Sequence, residues 1–174
     1  VSASELDKYF EIQAKLVENA REYQTAELVE DQIRFFGLQK LTLLDYPGMT
    51  AATVFTGGCN LRCPFCHNRS LVFLNENDTE LETSAILSYL KERSKLLDAV
   101  CITGGEPLLH KGLKNFIKKV RELGLKVKLD TNGTNYEALK ELVDEHLVDY
   151  VAMDIKNCPK KYPMTGGIDE YDIS

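Results

Sequence analysis

Four short strand-like runs, separated by amphipathic stretches of helical length, constrain the fold of this chain more than any other feature. The runs are Ala51-Ala52-Thr53-Val54-Phe55, Ala99-Val100-Cys101-Ile102-Thr103, Val127 to Asp130, and Tyr150-Val151-Ala152-Met153-Asp154-Ile155. Between them, Ser84 to Leu97 places Ile86, Leu90 and Leu97 on one face, and Lys111 to Leu123 places Leu113, Phe116, Ile117 and Val120 together before stopping at Gly124. Asn135 to His146 repeats the pattern with Leu139, Leu142 and Val143 facing inward. Strands alternating with helices in this way predict βαβ crossovers and a parallel sheet, with right-handed connections. The expected class is α/β, as a partial barrel.

In parallel α/β sheets the working residues gather at the carboxyl ends of the strands. All four runs end in polar or glycine-rich segments: Thr56-Gly57-Gly58-Cys59, Thr103-Gly104-Gly105-Glu106-Pro107, Asp130-Thr131-Asn132-Gly133 and Asp154-Ile155-Lys156-Asn157. Each has a plain structural reading as a tight turn, an Asx-type cap or a surface ion pair. Their functional readings are a grip for an ammonium group at Gly104, Gly105 and Glu106, and acceptors for hydroxyls or a cation at Asp130, Thr131 and Asn132. Asp154 and Lys156, two apart on a strand, would face the same cavity.

The first end runs into Cys59-Asn60-Leu61-Arg62-Cys63-Pro64-Phe65-Cys66-His67-Asn68, three cysteines spaced C-x3-C-x2-C. Three thiolates on one loop suit an iron–sulfur cluster, and a [4Fe–4S] cube normally takes four protein cysteines. A cube held by Cys59, Cys63 and Cys66 would leave one iron open to a small molecule. Those cysteines with one further ligand would instead make a tetrahedral zinc site without catalysis. Cys101, among apolar neighbours, reads as a buried inert thiol and Cys158 as a loop cysteine. His67 reads as partner-facing or behind the ligands, and His110 and His146 carry no signal.

Composition narrows the classes further. The chain of 174 residues is 44% apolar with a formal net charge of −6. That balance suits one sizeable core and argues against nucleic acid as a partner. Lys111, Lys114, Lys118 and Lys119 read as one solvated helix face. The sequence has no signal-peptide pattern and no apolar stretch of membrane-spanning length, so no membrane is expected. Five cysteines, three of them clustered, suit a reducing cytoplasm better than a disulfide scaffold. Residues 1 to about 32 read as a helical extension, with a Ser2/Glu5 capping box and Leu6, Phe10, Ala14 and Val17 at helical spacing. It carries no chemical motif and suits docking or oligomer contact. The chain opens at Val1 rather than Met, so an incomplete natural protein is expected.

With C-x3-C-x2-C, an aromatic residue before the third cysteine, and a strand-end Gly-Gly-Glu-Pro, the chain resembles radical S-adenosylmethionine (SAM) enzymes. More narrowly it resembles the activating enzymes of glycyl-radical proteins. Leu41-Thr42-Leu43-Leu44-Asp45-Tyr46-Pro47-Gly48, Val54-Phe55-Thr56-Gly57-Gly58-Cys59 and Cys66-His67-Asn68 carry that likeness. Within the group it is most similar to the activating proteins of anaerobic ribonucleoside-triphosphate reductase. The likeness runs from about Gly37 to Ile168. Residues 1–35 lie outside it as a helical extension, and 36–174 form the matching domain.

The resemblance implies a (βα)6 barrel, of which this sequence supplies four parallel strands. The last two strands would be lacking, leaving an unpaired sheet edge and reduced turnover. It implies that Cys59, Cys63 and Cys66 hold a [4Fe–4S] cluster whose fourth iron is chelated by SAM. Glu106, with the backbone of Gly104 and Gly105, would steady the SAM amino group, and Phe65 would flank the adenine. Asp130, Thr131 and Asn132 would face the ribose or a cation, and Asp154 and Lys156 would line the same cavity. No residue is implied as an acid–base catalyst: a positively charged sulfonium breaks its C–S bond when a low-potential electron arrives beside it. The implied partners are a glycyl-radical protein, foremost the anaerobic ribonucleotide reductase, and an electron donor such as flavodoxin or ferredoxin. A radical SAM enzyme acting on a small molecule is the alternative.

Overall fold

A computed structural model describes residues 32–167 of the chain. The helix expected over residues 1 to about 32 lies outside the described residues. Five strands form one sheet in the order β1 (Phe35–Thr42), β2 (Ala51–Thr56), β3 (Ala99–Gly104), β4 (Lys126–Thr131) and β5 (Tyr150–Met153). β2 through β5 are mutually parallel, and these are the four expected strands. The helices are α1 (Arg69–Val72), α2 (Thr83–Arg93), α3 (Leu113–Glu122), α4 (Tyr136–Asp144) and α5 (Tyr162–Gly166).

β1 was not expected. It pairs antiparallel with β2, and its register slips between Phe35 and Gly37 and again between Gln39 and Thr42. Such irregularities break the two-residue alternation by which a half-buried strand declares itself. Covering the outer edge of β2, it removes one of the two open edges of the parallel sheet.

One face of the sheet carries the main core. Ala52, Val54, Val100, Ile102, Val127 and Leu129 are fully buried there, against Ile86 and Leu90 of α2, Phe116, Ile117 and Val120 of α3, and Leu139 and Leu142 of α4. Burying each such Val, Leu, Ile or Phe side chain contributes about 1.5–3 kcal/mol. Phe35 closes the layer, its ring 4.7 Å from that of Phe116. Two details differ from expectation. α2 ends at Arg93, so Leu97 reaches the core from the following turn, and Val143 is 46% exposed. A position just past Leu142 on a helix turns away from a narrow apolar stripe. The lysine-rich face of α3 is solvent-side, where Lys114 bridges Glu141 of α4 and Glu145, which caps the end of that helix, at 2.5 Å each.

The opposite face is polar. Register aligns Thr53, Cys101, Lys128 and Tyr150 in one row across β2 to β5. Cys101 is fully buried, as expected of an inert thiol, and burial pushes it up to about 12. The β1–β2 connection folds over this row. Tyr46 is buried against Ala51, Ala99 and Cys101, and Asp45 accepts a 2.5 Å hydrogen bond from the Thr53 hydroxyl. The Asp45-Tyr46 pair thus plugs the amino-terminal side of the sheet and leaves the carboxyl ends of the strands as the open side.

Candidate cofactor site at the strand ends

Beyond β2 the cysteine loop has almost no regular structure of its own, and backbone hydrogen bonds from distant segments fix its course. Gly57 N–H donates to Arg34 O at 3.1 Å and Gly58 N–H to Leu71 O at 2.7 Å. Glu106 N–H donates to Gly58 O at 2.8 Å, and Arg62 N–H to Gly166 O at 2.5 Å. Two of these approaches demand glycine. A Cβ on Gly105 would stand 1.8 Å from Gly58 O, and one on Gly167 would stand 2.0 Å from Arg62 O. Leu61 anchors the loop in the core, and the Arg62 guanidinium caps the carbonyls of Cys59 and Leu61.

His110, which carried no signal in the sequence, also holds this loop. Its Nδ1 accepts the Arg34 N–H at 3.5 Å, so Nε2 carries the proton and donates to Gly57 O at 2.9 Å. Burial, the chief cause, lowers its pKa and keeps the ring neutral.

Cys63 is buried and Cys59 and Cys66 are half-buried, all as free thiols. Cys59 Sγ accepts the Leu61 N–H at 3.4 Å and the Asn132 side-chain amide at 3.8 Å. Burial pushes the Cys59 thiol up to about 12 and raises Cys63, for which Lys156 is the main opposing charge. Among the described residues no three His, Cys, Asp or Glu side chains converge as they would around one metal ion. A zinc site needs four donors about one ion, whereas a cubane takes one thiolate per iron. The residues fit a cluster by the chemistry of their donor set: three unpaired thiols on one pinned loop, N–H donors already at a sulfur, and open space where a Gly58 side chain would stand.

Glu106 lies at the junction of β3 and β4, fully buried. Its Oε1 accepts the Leu108 N–H at 3.0 Å and the Thr131 hydroxyl at 2.7 Å, and Oε2 accepts the Asn132 N–H at 2.7 Å. Burial pushes the carboxyl up to about 7 against the pull of those donors. Glu106 therefore ties the two strand ends together, which its place in a Gly-Gly-Glu run did not disclose. Thr131 and Asn132 turn their side chains into this network. Asn60 and Thr134, not anticipated from the sequence, complete it: Asn60 donates to Thr134 Oγ1 at 2.8 Å.

The remaining expected residues stand around the rim. Asp130 pairs with the buried Lys128 on the polar face of the sheet. Asp154 and Lys156 lie just past β5 and pair at 2.7 Å, with Lys156 the more buried partner. Burial opposes its charge, yet the Asp154 pair holds its pKa above the ordinary lysine value. Phe65 is exposed and His67 lies at the surface beside it. Gly104 takes φ +120°, and its carbonyl accepts the Asn68 amide at 3.2 Å.

The model of the radical SAM superfamily matches residues 53–171, spanning the cysteine loop and every strand end described above. The chain belongs to that superfamily, and membership implies SAM and a [4Fe–4S] cluster as cofactors. It is 39% identical over 127 residues to a protein of Methanocaldococcus jannaschii named as a glycyl-radical enzyme activating enzyme, covering 72% of this chain and 51% of the relative. It is 32% identical over 111 residues to a 7-carboxy-7-deazaguanine synthase of Thermoplasma acidophilum, covering 64% and 49%. The chain thus spans about half the length of these relatives. The crystal structure of QueE from Escherichia coli shares the fold, with a TM-score of 0.50 and 19% identity over 59% of this chain and 53% of that one.

Proposed function

We propose that this chain carries the cofactor-binding half-site of a radical SAM oxidoreductase that generates a glycyl radical on a partner protein. The observation that carries the reading is the backbone contact of Gly58 with Gly105 and Glu106. It brings the Cys59–Cys66 loop against the Gly-Gly-Glu strand end. Cys59, Cys63 and Cys66 would hold the cluster, which when bound supplies the electron that splits the sulfonium of SAM. The backbone of Gly104 and Gly105 would receive the SAM amino group, with Glu106 holding that turn rigid from behind. Asp130 and the Thr131–Asn132 turn would border the ribose, Phe65 would flank the adenine from the open side, and Asp154 with Lys156 would line the far wall.

The 39% likeness to a protein named as an activating enzyme supports a glycyl-radical protein as substrate, with the anaerobic ribonucleotide reductase as the first candidate. A cytoplasmic flavodoxin or ferredoxin would donate the electron. Among the described residues no helix is long and apolar enough to cross a membrane. The likeness to a 7-carboxy-7-deazaguanine synthase supports the second reading, a radical SAM enzyme acting on a small molecule.

Anaerobic reconstitution with iron and sulfide, followed by electron paramagnetic resonance of the reduced protein with and without SAM, tests the site. SAM should change the spectrum, and an unchanged spectrum would sink the open-iron reading. Cys63→Ala should lose the cluster and Cys101→Ala should keep it. The two functions part on adding the reductase: a glycyl-radical signal on that protein supports the activase, and its absence with SAM still cleaved favours the small-molecule enzyme.

A further inference from the structure

Asn132, Asn60 and Thr134 form a closed ring of hydrogen bonds beside Cys59. Asn132 Oδ1 accepts the Thr134 N–H at 3.0 Å and the Thr134 hydroxyl at 2.7 Å. Thr134 Oγ1 in turn accepts from Asn60 Nδ2 at 2.8 Å, and Asn60 Oδ1 accepts from Asn132 Nδ2 at 2.9 Å. The direction of the ring is fixed by its one unambiguous member. A backbone N–H only donates, so the Asn132 atom facing Thr134 N is oxygen and the NH2 group points the other way. One of its two protons goes to Asn60, and the other is aimed at Cys59 Sγ, 3.8 Å from the nitrogen. The backbone of Asn132 is held as firmly, its N–H donating to the buried Glu106 carboxylate at 2.7 Å. Asn132 and Thr134 are both buried, so water does not compete for these bonds.

We propose that Asn132 is a potential-setting residue for the cluster. Locked by Asn60 and Thr134, it presents an amide proton to the Cys59 sulfur and raises the reduction potential of the metal centre. The inference rests on the cluster site proposed above. Hydrogen bonds to cluster sulfurs are among the factors that set the potential, because they stabilise the more electron-rich, reduced form. The ring assigns Asn132 a role distinct from ribose contact, because its amide is turned toward the thiol.

The test is a potentiometric titration of the reconstituted full chain, read by electron paramagnetic resonance. Asn132→Asp keeps the oxygen that Thr134 needs and removes the donor, and Asn60→Asp places a like charge beside Cys59 while leaving that donor in place. Asn132→Asp should shift reduction at least tenfold further against the reduced form than Asn60→Asp does, about 59 mV for one electron. Thr134→Val, which unlocks the ring, should shift it the same way by a smaller factor, and Thr134→Ser should restore the wild-type value. Equal potentials in the two Asp variants would overturn the proposal. Should Asn132→Asp assemble no cluster, the Thr134 pair decides, and equality of Val and Ser overturns it. Failure of the wild-type chain to assemble any cluster would instead overturn the site reading.

Discussion

Replacing Gly105 by Ala probes the contact on which the site is built. Its Cβ would stand 1.8 Å from Gly58 O, where real Cβ contacts essentially never fall below 3.0 Å. The obstacle is backbone, so no rotamer relieves it. Separating the two by about 1 Å takes the 2.8 Å bond from Glu106 N–H to Gly58 O out of hydrogen-bond range. Overpacking costs about 1–3 kcal/mol and an unsatisfied buried backbone group about as much again. The sum, roughly 2–6 kcal/mol, lies within or below the stability of an ordinary domain, so the variant should fold with its cysteine loop displaced. Gly124→Ala is the control: at φ +79° with nothing within 4 Å, it should cost only the left-handed strain of about 1–2 kcal/mol. Iron and sulfide per chain after anaerobic reconstitution, with a thermal melt followed by circular dichroism, separate the two. Gly105→Ala should lose most of its iron and melt well below Gly124→Ala. Full iron loading and a melt no lower than the control would refute the argument that this contact places the loop.

Other consequences follow from buried groups around the site. His110 has a lowered folded pKa, so its contribution is present above about pH 6.5 and is lost as pH falls through the folded value. Wild-type stability should therefore drop more between pH 7 and 5 than that of His110→Ala, and parallel curves in chemical denaturation would contradict this. Glu106 behaves oppositely. With its carboxyl raised to about 7, its contribution is full below about pH 4.5 and is lost as pH rises through 7, a swing of about 3 kcal/mol. Glu106→Gln should remove that slope and cost about 1–3 kcal/mol by turning an NH2 toward a backbone donor; a slope that persists would place the titration elsewhere. Thr53→Val should lose about 1–2 kcal/mol from the bond to Asp45 yet leave iron loading unchanged, since that bond holds the β1–β2 connection rather than the cysteine loop. Lost iron in that variant would mean the connection and the loop are coupled.

β3 was legible because a strand covered on both faces reads as a continuous apolar run: Val100 and Ile102 are buried on one face and Ala99 and Cys101 on the other. β1 was not, since its slipped register and the exposed Gln39 and Lys40 erase any alternation. The three cysteines and the glycine-rich strand ends were visible as chemistry in a fixed spacing. What the spacing could not carry was direction. Whether Thr131 and Asn132 face outward or inward depends on Glu106, a partner more than a helix away in sequence. His110 and Asn60 act through backbone and amide groups whose partners are set only by folding, so neither carries a local signature.

The bond from Arg62 N–H to Gly166 O has a temporal meaning. The cysteine loop, which follows the second strand, is clasped by the end of α5, beyond the last strand of the sheet. Contacts of such long sequence separation form late, after the intervening loop entropy has been overcome. On the ribosome, the cysteines would emerge well before their final clasp exists. Metal loading at the cysteines would then be secured only after Gly166 has been made, a whole sheet later in synthesis than the ligands themselves.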